Sequence, residues 1–179
     1  HSTGKGEKVR PYVEDLIQEV EKNDQITVHL GSKVTEVHGV VGNFVSTLAS
    51  AGEEIQHGIV IFATGGGPYQ PEGQYLYKQN PNVLLSLDLD QEIAQESERL
   101  KQAGAVAFIQ CVGSRIPERP YCSKVCCSHS VENALKLKEM HPEKDVYILY
   151  RDLRTYGERE TLYEKAREKG VLFFRFDLE

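Results

Sequence analysis

The sequence predicts an α/β protein with a three-layer, Rossmann-like parallel sheet and, before it, a small β-meander part. Two observations carry this prediction. From residue 88 onward, short apolar runs typical of strands alternate with longer stretches of helical periodicity, and such alternation indicates a parallel sheet with right-handed crossovers. Between residues 26 and 48, apolar residues recur at every second position between glycine-containing turns, which is typical of short meandering strands.

The first part of the chain, residues 1–67, is predicted to contain one helix and several strands. Apolar residues spaced three and four apart within residues 9–22 indicate an amphipathic helix. Residues 59–63 form a continuous apolar run, which predicts a strand buried on both faces and ending at Thr64-Gly65-Gly66. The short strands of the meander are expected within residues 26–30, 34–37 and 40–48.

The second part of the chain follows a stretch rich in Pro, Gly, Tyr, Gln and Asn. Residues 68–87 are therefore predicted to be a crossover linker, and residues 88–179 a Rossmann-like half-domain. The predicted elements of this half-domain are helices at 88–102, 123–140 and 157–169 and strands at 105–109, 146–150 and 171–176.

Charge and hydropathy exclude several classes of protein. Lys and Arg total 21 against 27 Asp and Glu, and the net charge of −6 argues against nucleic acid or an anionic membrane as the main partner. No apolar run approaches the roughly 20 residues of a membrane span, and no export signal is present, so a cytoplasmic location is expected. Because the sequence starts without Met, we expect it to be a piece of a larger protein.

The chain has four cysteines, all of them between residues 111 and 127, a grouping that suits a soft metal in a reducing compartment. Cys122, Cys126 and Cys127 converge only if Cys122 lies just ahead of a helix whose first turn holds the other two. The free N–H groups of that turn would stabilise thiolates, with Ser123 as the predicted N-cap. Cys111 would follow the preceding strand.

This strand–loop–helix junction is where a Rossmann unit normally holds a pyrophosphate on a glycine-rich turn. The loop of residues 111–121 has one glycine and no G-x-G-x-x-G motif. The sequence therefore predicts that a thiolate site replaces the phosphate site. Arg115, Arg119 and Lys124 are expected to offset its negative charge.

Several interpretations of the cysteines remain open from their spacing alone. An iron–sulfur cluster is favoured over zinc, because structural zinc sites usually contain paired C-x-x-C knuckles. Zinc would make the region a structural interaction module, and His129 would then be available for a Cys3His set. A redox disulfide between neighbouring cysteines is a third option, although the C-x-x-C motif of thioredoxin-like chemistry is absent. The clustering of the four cysteines argues against a set of buried structural cysteines.

Four segments of the sequence resemble the A subunits of the heterodisulfide reductase family. They are residues 39–44, 108–115, 121–127 and 149–157. The resemblance implies part of an iron–sulfur flavoprotein oxidoreductase with a thioredoxin-reductase-like core, in which residues 88–179 belong to the pseudo-nicotinamide domain. It also implies that one [4Fe–4S] cluster transfers electrons, with other heterodisulfide-reductase-like or redox subunits as partners. The ligands of that cluster would be Cys111, Cys122, Cys126 and Cys127.

A second cofactor, FAD, is implied by the same resemblance. The apolar run at residues 59–63 and the turn after it resemble the part of such reductases that lies near the flavin, and a tight crossover between domains is the alternative. The family's first phosphate-binding motif has no counterpart here, so this segment is expected neither to retain FAD nor to be active alone. No catalytic acid, base or nucleophile is predicted. The candidate cofactor-binding residues are Ala63, Thr64, Gly65 and Gly66.

Overall fold

The computed structural model describes residues 8–49 and 52–177, and the chain divides into two compact units. We call the unit that ends at Gly66 the meander unit and the unit that begins at Gly67 the cysteine unit. The division falls between a unit with an antiparallel sheet and a unit with a parallel one.

The meander unit contains a helix and a three-stranded antiparallel sheet of order β1-β2-β3. Glycine is required at position 39, near the end of β1, where φ is +103° and a Cβ atom would lie 2.1 Å from the Asn43 carbonyl oxygen. A hydrogen bond of 2.7 Å between Ser46 Oγ and His57 Nε2 joins β2 to β3. The elements are α1 (Val9–Glu21), β1 (Val34–Val40), β2 (Asn43–Leu48) and β3 (Glu54–His57).

Two predicted strands of this unit are wrong. Residues 26–30 and residues 59–63 have no regular secondary structure, and Ile61 and Phe62 are each 86% exposed. The physical reason is that a strand exists only when a neighbour pairs with its backbone, and no neighbour pairs with these segments among the described residues. An apolar run indicates a tendency to be buried, but it does not supply the partner.

The cysteine unit is an α/β structure with a three-stranded parallel sheet of order β4-β5-β6. The prediction of a parallel sheet from alternating strands and helices is therefore confirmed. The elements are α2 (Ser86–Ala94), α3 (Glu98–Gln102), β4 (Ala105–Ile109), α4 (Cys126–Met140), β5 (Asp145–Tyr150), α5 (Glu160–Glu168) and β6 (Leu172–Arg175), with a 3₁₀ turn at Gly157–Arg159.

The helix predicted over residues 88–102 is two helices. Glu96 has a φ of +46°, which a continuous helix does not allow, and it ends the turn after α2. The Ser97 hydroxyl then caps α3 by accepting a hydrogen bond from the Leu100 backbone N–H at 3.2 Å. This capping serine is visible in the sequence, but its polar surroundings resemble a solvated helix face.

The core of the cysteine unit lies between one face of the sheet and helices α4 and α5. Val131 and Leu137 of α4 and Val146 and Ile148 of β5 are completely buried there. The opposite face of the sheet exposes Ile109, Leu172 and Phe174. The predicted three layers are thus wrong for the part of the chain that the structure describes, because no helix there covers that face.

Parallel pairing places the loops after β4 and β5 at the same edge of the sheet. Ile109 pairs with Leu149, so the loop that starts near Cys111 lies beside the loop that starts after Tyr150. The first turn of α4 reaches the same edge, because α4 connects β4 to β5. Across the described ranges, no helix has the length and apolar character needed to cross a membrane.

Candidate metal centre

Cys111 lies in a tightly turned loop just beyond β4. Its φ is +62°, in the left-handed region that non-glycine residues rarely adopt. Arg115 Nη1 lies 3.9 Å from the Cys111 sulfur. The loop closes on itself where the Ser114 hydroxyl donates to the Tyr121 carbonyl oxygen at 2.7 Å. The left-handed backbone at Cys111 and the closed loop therefore hold the Cys111 sulfur near the Arg115 guanidinium.

The other three cysteines lie at the start of α4, as the sequence predicts. The helix begins at Cys126, so that Cys126 and Cys127 occupy its first turn and Cys122 precedes it. The prediction of Ser123 as the N-cap is wrong, because Val125 holds that position and makes no side-chain cap. The Ser123 hydroxyl instead lies 3.3 Å from the Cys126 sulfur. It therefore stabilises the sulfur rather than the helix backbone.

The loop after β5 contacts the sulfur of Cys127. Cys127 is buried, with its sulfur 3.8 Å from the Asp152 carbonyl oxygen. Cys122 accepts a hydrogen bond from the Lys124 backbone N–H at 3.3 Å. The loop after β5 thus contacts one of the cysteines that the sequence placed in the first turn of the helix.

Cys126 and Cys127 form a coupled pair with opposite acidities. The hydrogen bond from the Cys127 thiol lowers the pKa of Cys126 to about 5, and the Ser123 hydroxyl and the backbone N–H groups of the first turn contribute in the same direction. The same hydrogen bond, followed by burial, raises the pKa of Cys127. At neutral pH the metal-free pair therefore holds one thiolate and one thiol.

The cations near the site differ from the predicted set. Arg115 reaches Cys111, but the Arg119 guanidinium stacks 4.2 Å from the centroid of the Tyr69 ring. Against the opposing charge of Arg115, the charge of the Cys122 sulfur raises the pKa of Arg154, so Arg154 is a cation near the site that the sequence did not predict. Residues 122 and 154 belong to different loops, and nothing in the local spacing predicts their proximity.

His129 is directed toward helix α2. Its Nε2 lies 2.9 Å from an Asp90 carboxylate oxygen, and the Asn133 amide donates to the same oxygen at 2.7 Å. A Cys3His zinc site would therefore have to use Nδ1 of this imidazole, because Nε2 is hydrogen bonded to Asp90. One signal of this network is visible in the sequence, the polar pair at positions 129 and 133 on one helix face, but Asp90 is 39 residues away.

The donor chemistry of the four cysteines fits a metal–sulfur cluster, because sulfur is a soft ligand and three of the four sulfurs have a hydrogen-bond donor or a cation beside them. Within residues 8–49 and 52–177, no group of three or more His, Cys, Asp or Glu side chains is arranged to hold a metal ion. The cluster therefore stays a prediction at this point.

Comparison with known proteins identifies the family. No family model matches the chain. The A subunit of the H2:CoB–CoM heterodisulfide,ferredoxin reductase of Methanothermobacter marburgensis is 36% identical over 137 residues, which cover 68% of this chain and 21% of that protein. The iron–sulfur A subunit numbered 2 of the CoB–CoM heterodisulfide reductase of Methanopyrus kandleri is 34% identical over 138 residues, with the same two shares. The chain belongs to the family of heterodisulfide reductase A subunits.

The family assignment covers a segment of a longer kind of protein. The chain spans about a fifth of the length of the curated relatives that it matches. Those relatives are parts of oxidoreductases, as their names state, and one of them from Methanosarcina acetivorans is named as ferredoxin/F420H2-dependent. The resemblance seen in the sequence is thus confirmed for the heterodisulfide reductase family.

The candidate flavin-binding residues lie in the meander unit. Ala63, Thr64, Gly65 and Gly66 are exposed and belong to no helix or strand. Gly65 has a φ of +66°, and its position leaves space for a closely approaching group. Their role in binding FAD stays a prediction.

The pKa of Cys126 is lowered and that of Cys127 is raised, so the two adjacent cysteines should be labelled at different rates. In metal-free protein, Cys126 should react with iodoacetamide at a rate that rises through a midpoint near its pKa of about 5 and is already maximal at pH 7. Cys127 should remain unreactive over that range, because its pKa is raised and its side chain is buried. Peptide mass spectrometry after brief labelling measures both rates. Faster labelling of Cys127 than of Cys126 at pH 6 would contradict this assignment.

Proposed function

We propose that this segment holds a [4Fe–4S] cluster on its four cysteines and serves as an electron relay within an iron–sulfur flavoprotein oxidoreductase. The observation that carries the proposal is the placement of Cys111, Cys122, Cys126 and Cys127 at one edge of the parallel sheet, with a donor or a cation at three of the four sulfurs. When bound, such a cluster supplies one-electron chemistry.

The chain's own contribution is to hold four anionic sulfurs. A thiolate is the ligand form of cysteine, and the acidic Cys126 is already in that form at neutral pH. The first turn of α4 points its free N–H groups toward Cys126 and Cys127, which stabilises negative charge there. The guanidiniums of Arg115 and Arg154 do the same for Cys111 and Cys122. Hydrogen bonds to ligand sulfurs are among the factors that set a cluster's reduction potential.

We infer the wider role from the relatives' names and from the resemblance. Some of the relatives are named iron–sulfur subunits, and all are A subunits of heterodisulfide reductases, which supports other redox subunits as partners of this chain. In the whole protein, Ala63, Thr64, Gly65 and Gly66 would contact FAD, and the cysteine unit would correspond to the Rossmann-like pseudo-nicotinamide domain. The cluster would then exchange single electrons with this flavin or with a partner subunit.

The relay function is tested by anaerobic reduction of the reconstituted chain. Stepwise addition of a one-electron donor such as reduced methyl viologen should bleach the visible absorption with a stoichiometry of about one electron per chain, because a [4Fe–4S] centre cycles between two oxidation states. Mild reoxidation should restore the absorption. An absorption that does not change on reduction, or that is lost irreversibly, contradicts a relay.

A further inference from the structure

Two arginines share one carboxylate at the cysteine edge. Arg115 Nη2 lies 2.5 Å from Asp152 Oδ2, and Arg154 Nη2 lies 3.5 Å from the same oxygen. We call these three residues the arginine bridge. It joins the loop after β4 to the loop after β5 across 37 residues of sequence, so no local turn accounts for it.

One arginine of the bridge also faces a cysteine. Arg115 approaches the Cys111 sulfur with Nη1, at 3.9 Å, while Nη2 is on Asp152. The carbonyl oxygen of Asp152 lies 3.8 Å from the Cys127 sulfur. Cys111 lies outside the first turn of α4, so it receives from a side chain the positive field that the helix N-terminus gives to Cys126 and Cys127.

Arg115 has a backbone conformation that is costly for a residue other than glycine. Its φ is +59°, and the Arg151 guanidinium donates to its carbonyl oxygen at 2.7 Å. Left-handed backbone at a residue other than glycine persists when the surrounding contacts over-determine it, and such residues cluster at functional sites. The Arg115 side chain is 18% exposed, whereas the side chain of Asp152 is 45% exposed. A long cation is thus kept largely out of water, beside a sulfur.

The charges of the bridge do not cancel. Two guanidiniums and one carboxylate leave one net positive charge, and an exposed ion pair contributes little to folding stability by itself. A surplus positive charge beside sulfur ligands favours the more negative, reduced state of whatever group they bind. The bridge therefore has an electrostatic effect that a structural staple would not need.

We propose that the arginine bridge is a positioning device that holds the Arg115 guanidinium at Cys111, with a second guanidinium on the same carboxylate, and so raises the reduction potential of the group bound by the four cysteines. The effect on the potential rests on the proposed function, because it needs a redox group on the cysteines. The positive field at the Cys111 sulfur does not, so it is measurable in the metal-free chain.

The field is tested by comparing an anionic and a neutral alkylating reagent on the metal-free chain. At one cysteine, the rates with iodoacetate and with iodoacetamide both depend on the same thiolate fraction, so their ratio does not. The ratio therefore reports the local electrostatic potential at that sulfur. In Arg115→Gln the ratio at Cys111 should fall about fivefold, the factor for one unit charge about 4 Å away in water. In Arg154→Gln, which removes the second cation from the same carboxylate, the ratio at Cys111 should also fall. Peptide mass spectrometry resolves each site.

Arg119→Gln is the matched control, since it removes a cation from the same loop that is stacked on Tyr69. An unchanged ratio at Cys111 in both bridge variants, or an equal fall in the control, would overturn the proposal. If Arg115→Gln fails to fold, Arg154→Gln decides alone, because its side chain is more exposed.

The effect on the potential is tested on the reconstituted chain. Arg115→Gln and Arg154→Gln should each shift the midpoint potential to more negative values, whereas Arg119→Gln should leave it unchanged. Unaltered potentials in both bridge variants would refute the electrostatic role. A chain that binds no cluster in any variant would refute the proposed function, while the alkylation ratios would still decide the field at the Cys111 sulfur.

Discussion

Cys126→Ser is expected to abolish retention of the cluster in anaerobically reconstituted protein. The substitution removes one of four sulfur ligands, and it removes the thiolate that the structure places at neutral pH with a pKa of about 5. Loss of an outer partner of a metal ligand already costs about 10–100-fold in metal affinity, so loss of a ligand should cost more. Iron content and visible absorption after desalting measure the effect.

Two control variants define what this loss means. Val125→Ser introduces the same residue one position earlier, at a side chain that is 60% exposed, and it should retain the cluster. His129→Ala should also retain it, because the proposed ligand set consists of the four cysteines alone. Loss of metal in His129→Ala together with Cys126→Ser would instead favour a Cys3His zinc site.

Ile148→Ala is expected to lower the free energy of unfolding of the cysteine unit by about 2–5 kcal/mol. Ile148 is fully buried in the central strand β5, in register with Phe108 on β4 and Phe173 on β6. Truncation leaves a cavity, because the neighbouring side chains are held on β4 and β6 and cannot move in to fill it. Urea unfolding followed by far-ultraviolet circular dichroism measures it, because the protein has no Trp and four of the five described α-helices lie in this unit.

The matched control for this prediction is Ile109→Ala. Ile109 is on the adjacent strand, and 41% of it is exposed on the open face of the sheet. Its truncation should cost less than about 1 kcal/mol. Similar losses in both variants would show that the open face is covered in solution, and that the helices on the described face do not alone form the core.

The parts of the fold that sequence predicted are those set by local patterns. The bounds of β4 and α1 agree with the prediction to within a residue, because hydrophobic periodicity and the turns that interrupt it lie within the segments themselves. The same holds for Cys126 and Cys127 in the first turn of α4. The three cysteines can converge only if Cys126 and Cys127 lie in the first turn of the helix, so their spacing predicts where that turn is.

The parts that sequence missed depend on partners far away in the chain. Residues 26–30 and 59–63 have strand-like composition, but no strand pairs with them among the described residues. Nothing in the sequence marks Asp90 as a neighbour of the site. Its carboxylate nevertheless binds Nε2 of His129, the histidine of the alternative Cys3His zinc site. Arg154 lies near Cys122 only because parallel pairing brings two loops to one edge. Such contacts follow from topology rather than from spacing.

The central claim, that the four cysteines form one complete ligand set for an iron–sulfur cluster, is tested most directly by metal analysis of protein prepared without oxygen. Iron, acid-labile sulfide and zinc are measured per chain in the same sample. The account predicts about four iron and about four sulfide, with no stoichiometric zinc. One zinc per chain, without iron or sulfide, would contradict it.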